Sequence, residues 1–463
     1  MTFSLVFVCQ KWKILDFIEY KTFDYRAQLA KPFAEHHKDI VLVLIDENSL
    51  ISMDSLLGRW PWPRFVYYDL LSFMAMANAQ SVIFDVLFTE SQKSFSEEEM
   101  EDAMYNDQLL AQGTLEYGAA VHAFKLAIDK LATNDDDGFI APKLPQHTID
   151  RFSVDWDGPE VKKVTDYFLP YDDLLIASNR LGFVDIDSDS DGIFRRVELL
   201  RQYQGHVFPS LSFAGLLASM KTNQVSLDPG KNLIVNELAI PLAADQTYLI
   251  KMKNDFPVYS AGAVFQSIQA LYQGRIEDMI ISPDTFENKI VFFGVSAAGT
   301  HDLLNTSIQS NIPGIYIHAS ILDNLLLEDF YQQLPFWVSC CIALAIILLT
   351  GSAVFFITSF YVQIFCLLGI LAGVVASHLG VFVSQSLVLL MAFPLVSFLL
   401  MTLNCYGYLA LTEGAEKRKV RGMLSKYVSP NVLTEVLDPS TESLIPEVGK
   451  KETLTIFFSD IRS

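Results

Sequence analysis

From Leu334 to Thr412 the chain carries no aspartate, glutamate, lysine or arginine. Nothing else limits the fold so sharply, because a charge-free run this long must be buried in protein or in lipid. Three apolar stretches stand out within it, about Phe336–Ile357, Val362–Val383 and Leu387–Leu411. A helix of about 22 residues, rising about 1.5 Å per residue, spans roughly 33 Å, enough for a hydrocarbon core about 30 Å thick. The breaks at Thr358–Tyr361 and Ser384–Ser386 suit tight hairpins, and Pro394 is either tolerated in the last span or kinks it. Three such spans in succession predict a multi-pass membrane protein rather than core helices of a large soluble one. The hydrophobic fraction of 51% agrees with this.

Charge is unevenly placed. The net charge is −21, and residues before Leu334 hold 46 of the acidic and 25 of the basic side chains, leaving 8 of each after it. An acidic region of this kind lacks the basic face that phosphate backbones require, so no nucleic-acid partner is expected. Glu416-Lys417-Arg418-Lys419-Val420-Arg421 follows the last span directly. Lys and Arg there place the C-terminus in the cytoplasm and, across three spans, Gln10–Gln333 outside it. That topology needs an earlier span. Phe3–Cys9 is too short to cross and is followed by Lys11 and Lys13, so residues 1–9 read as the tail of an N-terminal span that begins before Met1. The alternative is a genuinely short N-terminus. Cys9, Cys340, Cys341, Cys366 and Cys405 all lie in apolar stretches and offer no metal spacing or disulfide framework.

Residues 10–333 alternate strand-like and helix-like segments. Asp39–Asp46 is an apolar run ending in a carboxylate, as buried strands of α/β sheets do. Pro63–Ala79 reads as a helix and Ser81–Phe88 as a strand. The Glu-rich Glu97–Glu101 opens a helical stretch to about Leu131. Gly182–Gln202 reads as a hairpin, Leu233–Lys253 as two further strands, Lys289–Val295 as a last buried strand, and Pro313–Leu327 as a helix leading to the membrane. The fold class expected is an extracytoplasmic α/β domain with a largely parallel sheet, followed by three transmembrane helices.

Trp60-Pro61-Trp62-Pro63-Arg64, then Phe84-Asp85-Val86-Leu87-Phe88, resembles the type-2 CHASE extracytoplasmic sensor domain. Gly294-Val295-Ser296, Asp302, Thr306, Pro313-Gly314 and His318-Ala319 follow in the same order and spacing. The resemblance implies a receptor with an unknown extracytoplasmic ligand. Open α/β sheets place their sites at the carboxyl ends of strands. That nominates Asp46, Asp85 and the Gly294–Asp302 loop, with Trp62 and Arg64 beside one strand end. The alternative is structural: Trp62 in the core, Arg64 paired with Asp46 or Asp85. His318, at a helix start, reads as a capping or core histidine.

Asp187, Asp189, Asp191, Gly192 and Glu198 satisfy the D-x-D-x-D-G-x5-E pattern of a calcium loop. The context opposes it. Val197–Tyr203 reads as a strand where an EF-hand needs a helix, and Arg195 and Arg196 put two cations inside the loop. A plain turn is the expectation.

At the C-terminus, residues 412–445 read as a signalling helix and linker. Tyr427-Val428-Ser429-Pro430, followed by Phe458-Ser459-Asp460-Ile461 at the end of an apolar strand, resembles the opening of a class III nucleotide cyclase domain, an α+β fold. The resemblance implies that Asp460 gives a carboxylate, and Ile461 a backbone carbonyl, to two divalent metals, Mg2+ or Mn2+. One metal lowers the pKa of the attacking ribose hydroxyl and the other clamps the leaving pyrophosphate. It further implies ATP or GTP as substrate and a homodimer, since such sites form between two chains. Residues 446–463 are too few to form a domain, and the remaining catalytic residues of the family would lie beyond Ser463. The chain as written is therefore expected to be inactive alone, a truncated adenylate or guanylate cyclase in the cell (inner) membrane. The competing expectation is a non-catalytic membrane sensor or interaction protein.

Overall fold

The computed structural model describes residues 2–11, 14–33, 36–92, 97–127, 144–297, 299, 303–424, 453, 455 and 457–459. Asp302, Asp460 and Ile461 lie outside the described residues, as do most of the linker and of the cyclase-like segment. The chain divides into two compact units, Cys9–Cys340 with Gly373–Phe393, and Met1–Val8 with Cys341–Ala372 and Pro394–Ser463.

The helices, in chain order, are α1 Thr2–Lys11, α2 Asp16–Ala30, α3 Glu47–Leu57, α4 Phe65–Met76, α5 Glu97–Tyr117, α6 Gln146–Phe152 and α7 Asp172–Ala177. They continue with α8 Leu211–Met220, α9 Ala261–Tyr272, α10 Ile315–Leu327, α11 Phe336–Phe356, α12 Phe360–Gln385 and α13 Ala392–Leu424.

The larger unit is built on a seven-stranded sheet: β1 Ile40–Ile45, β2 Ser81–Leu87, β3 Ala120–Ala127, β4 Asp166–Phe168, β5 Arg180–Phe183, β6 Val258–Ser260 and β7 Ile290–Val295. The order is β6-β1-β7-β2-β3, with β4 and β5 both paired to β3. Every pairing is parallel except that of β4. A parallel sheet is covered on both faces, so its central strands must be apolar throughout. The β1 sequence IVLVLI meets that demand, with all six residues buried. Ile40, Leu42 and Leu44 enter one core with residues of α8 and α10. Val41, Val43 and Ile45 enter the opposite core with residues of α3, α4 and α9. Each such side chain contributes roughly 1.5–3 kcal/mol. Close approach of helix to sheet here needs a glycine: a Cβ on Gly182 of β5 would stand 2.4 Å from Leu211 Cα of α8. A separate four-stranded sheet joins Leu238–Pro241, Asn232–Val235, Gln224–Leu227 and Asp155–Asp157.

In the smaller unit Ala353, Val354, Leu367 and Cys405 pack together. Tyr406 donates to Gln363 Oε1 at 2.8 Å, and Gln363 Nε2 donates to the Val354 carbonyl at 2.7 Å. Such polar contacts between apolar helices replace the water that hydrocarbon lacks. Phe336–Phe356, Phe360–Gln385 and Ala392–Thr412 are each long and apolar enough to cross a membrane.

Four sequence expectations are corrected. The helix from the Glu-rich segment stops at Tyr117, with Gly118 at φ +71°, and Ala120–Ala127 is a strand between β2 and β5. In its sequence AVHAFKLA only Val121 and Phe124 are strong strand formers, so pairing on both edges decides it. Gly182–Gln202 is not a hairpin: β5 joins the main sheet, Ile193–Phe194 pairs with Asn305–Thr306, and Arg196–Val197 pairs with Tyr248–Leu249. Leu233–Lys253 holds three short strands rather than two, ending with Tyr248–Leu249. The third apolar helix starts at Ala392, because Leu387–Val388 is extended and pairs with Gln332–Gln333. Pro394 therefore sits in the first helical turn, where its missing N–H costs nothing. The third apolar helix continues without a break to Leu424.

Candidate functional site

The carboxyl end of β2 opens into a cleft of about 550 Å³, lined among others by Trp60, Trp62, Arg64, Tyr67, Leu87 and Gln92. The chain reaches it through a cis Trp60–Pro61 bond. Trp60 and Trp62 meet edge to face with centroids 5.5 Å apart, and Trp62 meets Phe265 of α9 in the same way at 5.6 Å. Trp62 is buried, and its indole Nε1 has no hydrogen-bond partner among the described residues.

Arg64 holds the polar edge of the cleft in place. Its guanidinium lies over the Phe88 ring at 4.6 Å, donates to the Glu90 carbonyl at 3.0 Å, and stands 3.5 Å from Asp107 of α5. Its backbone N–H donates to Gln92 Oε1, and the Gln92 N–H donates to Asp107 Oδ2 at 2.9 Å. Burial pushes the Asp107 carboxyl above its ordinary range, opposed by these contacts. The partner of Arg64 is thus Asp107, not Asp46 or Asp85. Distance along the chain hid that pairing.

Asp46, Asp85 and Gly294, the other described nominees, do not line this cleft. Asp46 caps α3, accepting from Ser49 N at 2.7 Å and from Ser260 Oγ at 2.8 Å. Burial opposes its ionisation, but the hydrogen bonds from Ser49 and Ser260 prevail and hold it below the usual carboxylate range. Asp85 sits opposite Gly294 in the β2–β7 register and beside buried His318. Burial raises the Asp85 carboxyl, with His318 pulling the other way. His318 Nδ1 lies 3.3 Å from Ser212 Oγ, and burial lowers its pKa. A Cβ on Gly294 would meet Ile315 Cδ1 at 2.7 Å, so this glycine lets α10 close on the sheet. Strand alternation separates these groups: Phe84 faces the α4 side of β2, whereas Ile83 and Asp85 face the α10 side.

The four carboxylates of the calcium-like pattern are taken up by three arginines, with Arg196 pairing with Asp189 at 3.0 Å. Arg195, 1% exposed, holds Asp189 at 3.1 Å and Asp191 at 2.8 Å. Arg201 holds Asp187 at 2.6 Å and Glu198 at 3.0 Å, and Lys162 pairs with the same two. The residues after the turn are extended. Among the described residues no group of three or more histidines, cysteines or acids is placed to hold a metal ion.

Arg195 also makes a contact that spacing could not foretell. It grips Asp24 of α2 through two bonds of 2.7 Å, Nε to Oδ1 and Nη2 to Oδ2, and its guanidinium lies 4.6 Å from the Tyr20 ring centroid. The same helix is fastened on the opposite side. Glu19 accepts from Met391 N and Ala392 N, both at 2.8 Å, at the start of α13, and pairs with Arg26 at 2.7 Å. Arg26 donates to the Leu389 carbonyl at 2.9 Å. The α2 helix therefore joins the Asp189–Arg195 turn to the first residues of α13 through buried, charge-assisted bonds.

A three-layer α/β unit with a strand-end cleft, in a chain with three helices apolar enough to cross a bilayer, defines a sensor-like domain of a membrane-associated protein. Residues 1–355 match the profile of the CHASE2 domain, and the chain belongs to that family of extracellular sensor domains. No curated protein matches the chain, and no solved structure does.

Proposed function

We propose that this protein is a membrane receptor that binds an extracytoplasmic ligand in the Trp60–Gln92 cleft and drives a class III nucleotide cyclase through α13. The observation that carries the coupling is α2, bound to the sensor turn by Arg195 and to the start of α13 by Glu19. In this reading the sensor lies outside the cytoplasmic membrane and Leu424 inside the cell. Two copies pair so that their cyclase segments meet over ATP or GTP. Mg2+ or Mn2+ would be held there in part by Asp460 and the Ile461 carbonyl.

The test is production of cyclic nucleotide from ATP or GTP, with Mg2+ or Mn2+, in membranes carrying the whole gene product. The host should lack its own cyclases. Synthesis that Asp460→Ala abolishes supports the reading. No cyclic AMP or cyclic GMP from membranes that hold the folded receptor removes the cyclase and leaves a sensor that does not catalyse.

A further inference from the structure

Beside the signalling contacts of α2 runs a groove of about 410 Å³, lined by Phe17, Ile18, Lys21, Thr22, Tyr25 and Arg26 of α2 with Val375, Leu379 and Met391. Val375 and Leu379 belong to α12, ten and six residues before its end at Gln385. At about 1.5 Å per residue they lie roughly 15 and 9 Å along the helix from that end, which places one wall at acyl-chain depth when α12 crosses a bilayer. On α2, Phe17, Ile18 and Tyr25 are all exposed large hydrophobics. Residues 17, 18, 21, 25 and 29 share one helical stripe, and exposed Ile14 lies in the turn just before it. A contiguous exposed apolar stripe beside a cation suits an interaction surface.

The two cations of the groove differ. The Arg26 donors are occupied by Thr22 O, Leu389 O and Glu19. Lys21 is exposed, lies 6.0 Å from the Phe17 ring centroid and makes no salt bridge to any described residue. Lys21 pulls on Asp191 without forming a salt bridge, so its ammonium, on an apolar groove whose second wall is a membrane helix, is left to meet a lipid phosphate.

We propose that this groove seats one phospholipid with an anionic headgroup. Its acyl chain lies along Val375, Leu379 and Met391, and its phosphate meets Lys21 Nζ. The site is distinct from the ligand cleft and does not depend on a cyclase.

The full chain, purified in mild detergent and reconstituted in nanodiscs of phosphatidylcholine with a minor share of phosphatidylglycerol, would be examined by native mass spectrometry after gentle release. The expected result is one retained phosphatidylglycerol per protomer, enriched over its bulk share. Lys21→Glu should cut that enrichment about ten-fold. Leu379→Trp should fill the groove and displace lipid of either class. Lys21→Gln, with only the charge removed, guards against a folding defect, and the melting temperature of each variant should match the parent. Lipid retained in bulk proportion, enrichment unchanged in Lys21→Glu and Leu379→Trp, or a groove covered by a second copy of the chain instead of lipid would each overturn the proposal.

Discussion

Replacing Arg195 by methionine tests whether α2 is held by charge. The side chain is 1% exposed and faces three carboxylates, Asp24, Asp189 and Asp191, with the Tyr20 ring beneath it. Methionine fills much of the volume but leaves Asp24 and Asp191 crowded without the guanidinium that bridged them, while Asp189 keeps Arg196 at 3.0 Å. Breaking a buried pair in this way costs about 3–5 kcal/mol. At about 2 °C per kcal/mol for a domain of this size, the melting temperature should fall by roughly 6–10 °C.

The pH dependence follows from the same group. Hydrogen bonds from Arg195 hold the Asp191 carboxyl below its ordinary range, against its burial. In the parent this stabilisation is therefore present above the unfolded carboxylate value of about 3.9 and is lost as pH falls through the lower folded value. In Arg195→Met, protonating one of the crowded carboxylates relieves their repulsion, so the deficit is largest near pH 7 and shrinks on acidification. The assay is thermal and urea unfolding of the full chain at about pH 7.5 and about pH 5, with hydrogen exchange followed across Asp16–Ala30. A loss under about 1 kcal/mol, or a deficit equal at both pH values, would refute the reasoning.

Three further outcomes are expected. Glu19→Ala strands Arg26 and uncaps α13, so stability should fall by about 3 kcal/mol and the Met391 and Ala392 amides should exchange faster; unchanged exchange would count against the contact. His122, fully buried and stacked on Phe84 at 4.8 Å, has its pKa pushed down to about 3 by burial. Because the folded value is depressed, stability is lost as pH falls below the unfolded value of about 6.5, by about 2 kcal/mol at pH 5, and His122→Phe should remove that slope from urea midpoints. Gly182→Ala drives a methyl into the Leu211 backbone and should cost about 1–3 kcal/mol, read as a lower urea midpoint; an unchanged midpoint would show that α8 does not sit this close.

Much of the architecture was legible because it rests on local patterns. Uninterrupted apolar runs announce both the central strands and the three long helices, since neither hydrocarbon nor a doubly covered sheet tolerates charge. The cleft was half legible: Trp62 and Arg64 fall at a strand end within one short motif. Asp107 and Gln92 carry no signal of their own, because they reach Arg64 only when α5 packs on α4. Ala120–Ala127 misled for a related reason, as its strand state comes from the two neighbours it pairs with. The carboxylates of Asp187–Glu198 show the limit most clearly. Their spacing fits a calcium loop, yet they turn to Arg195, Arg196, Arg201 and Lys162, whose positions only the packed domain sets. Sequence alone determined that this chain has an apolar three-helix block and an acidic α/β domain, because burial demands are written in residue type and period. Tertiary structure alone decided that Asp24 meets Arg195 and that Glu19 meets the start of α13, because a charge buried on folding must find its partner in space, however far away it lies in the chain.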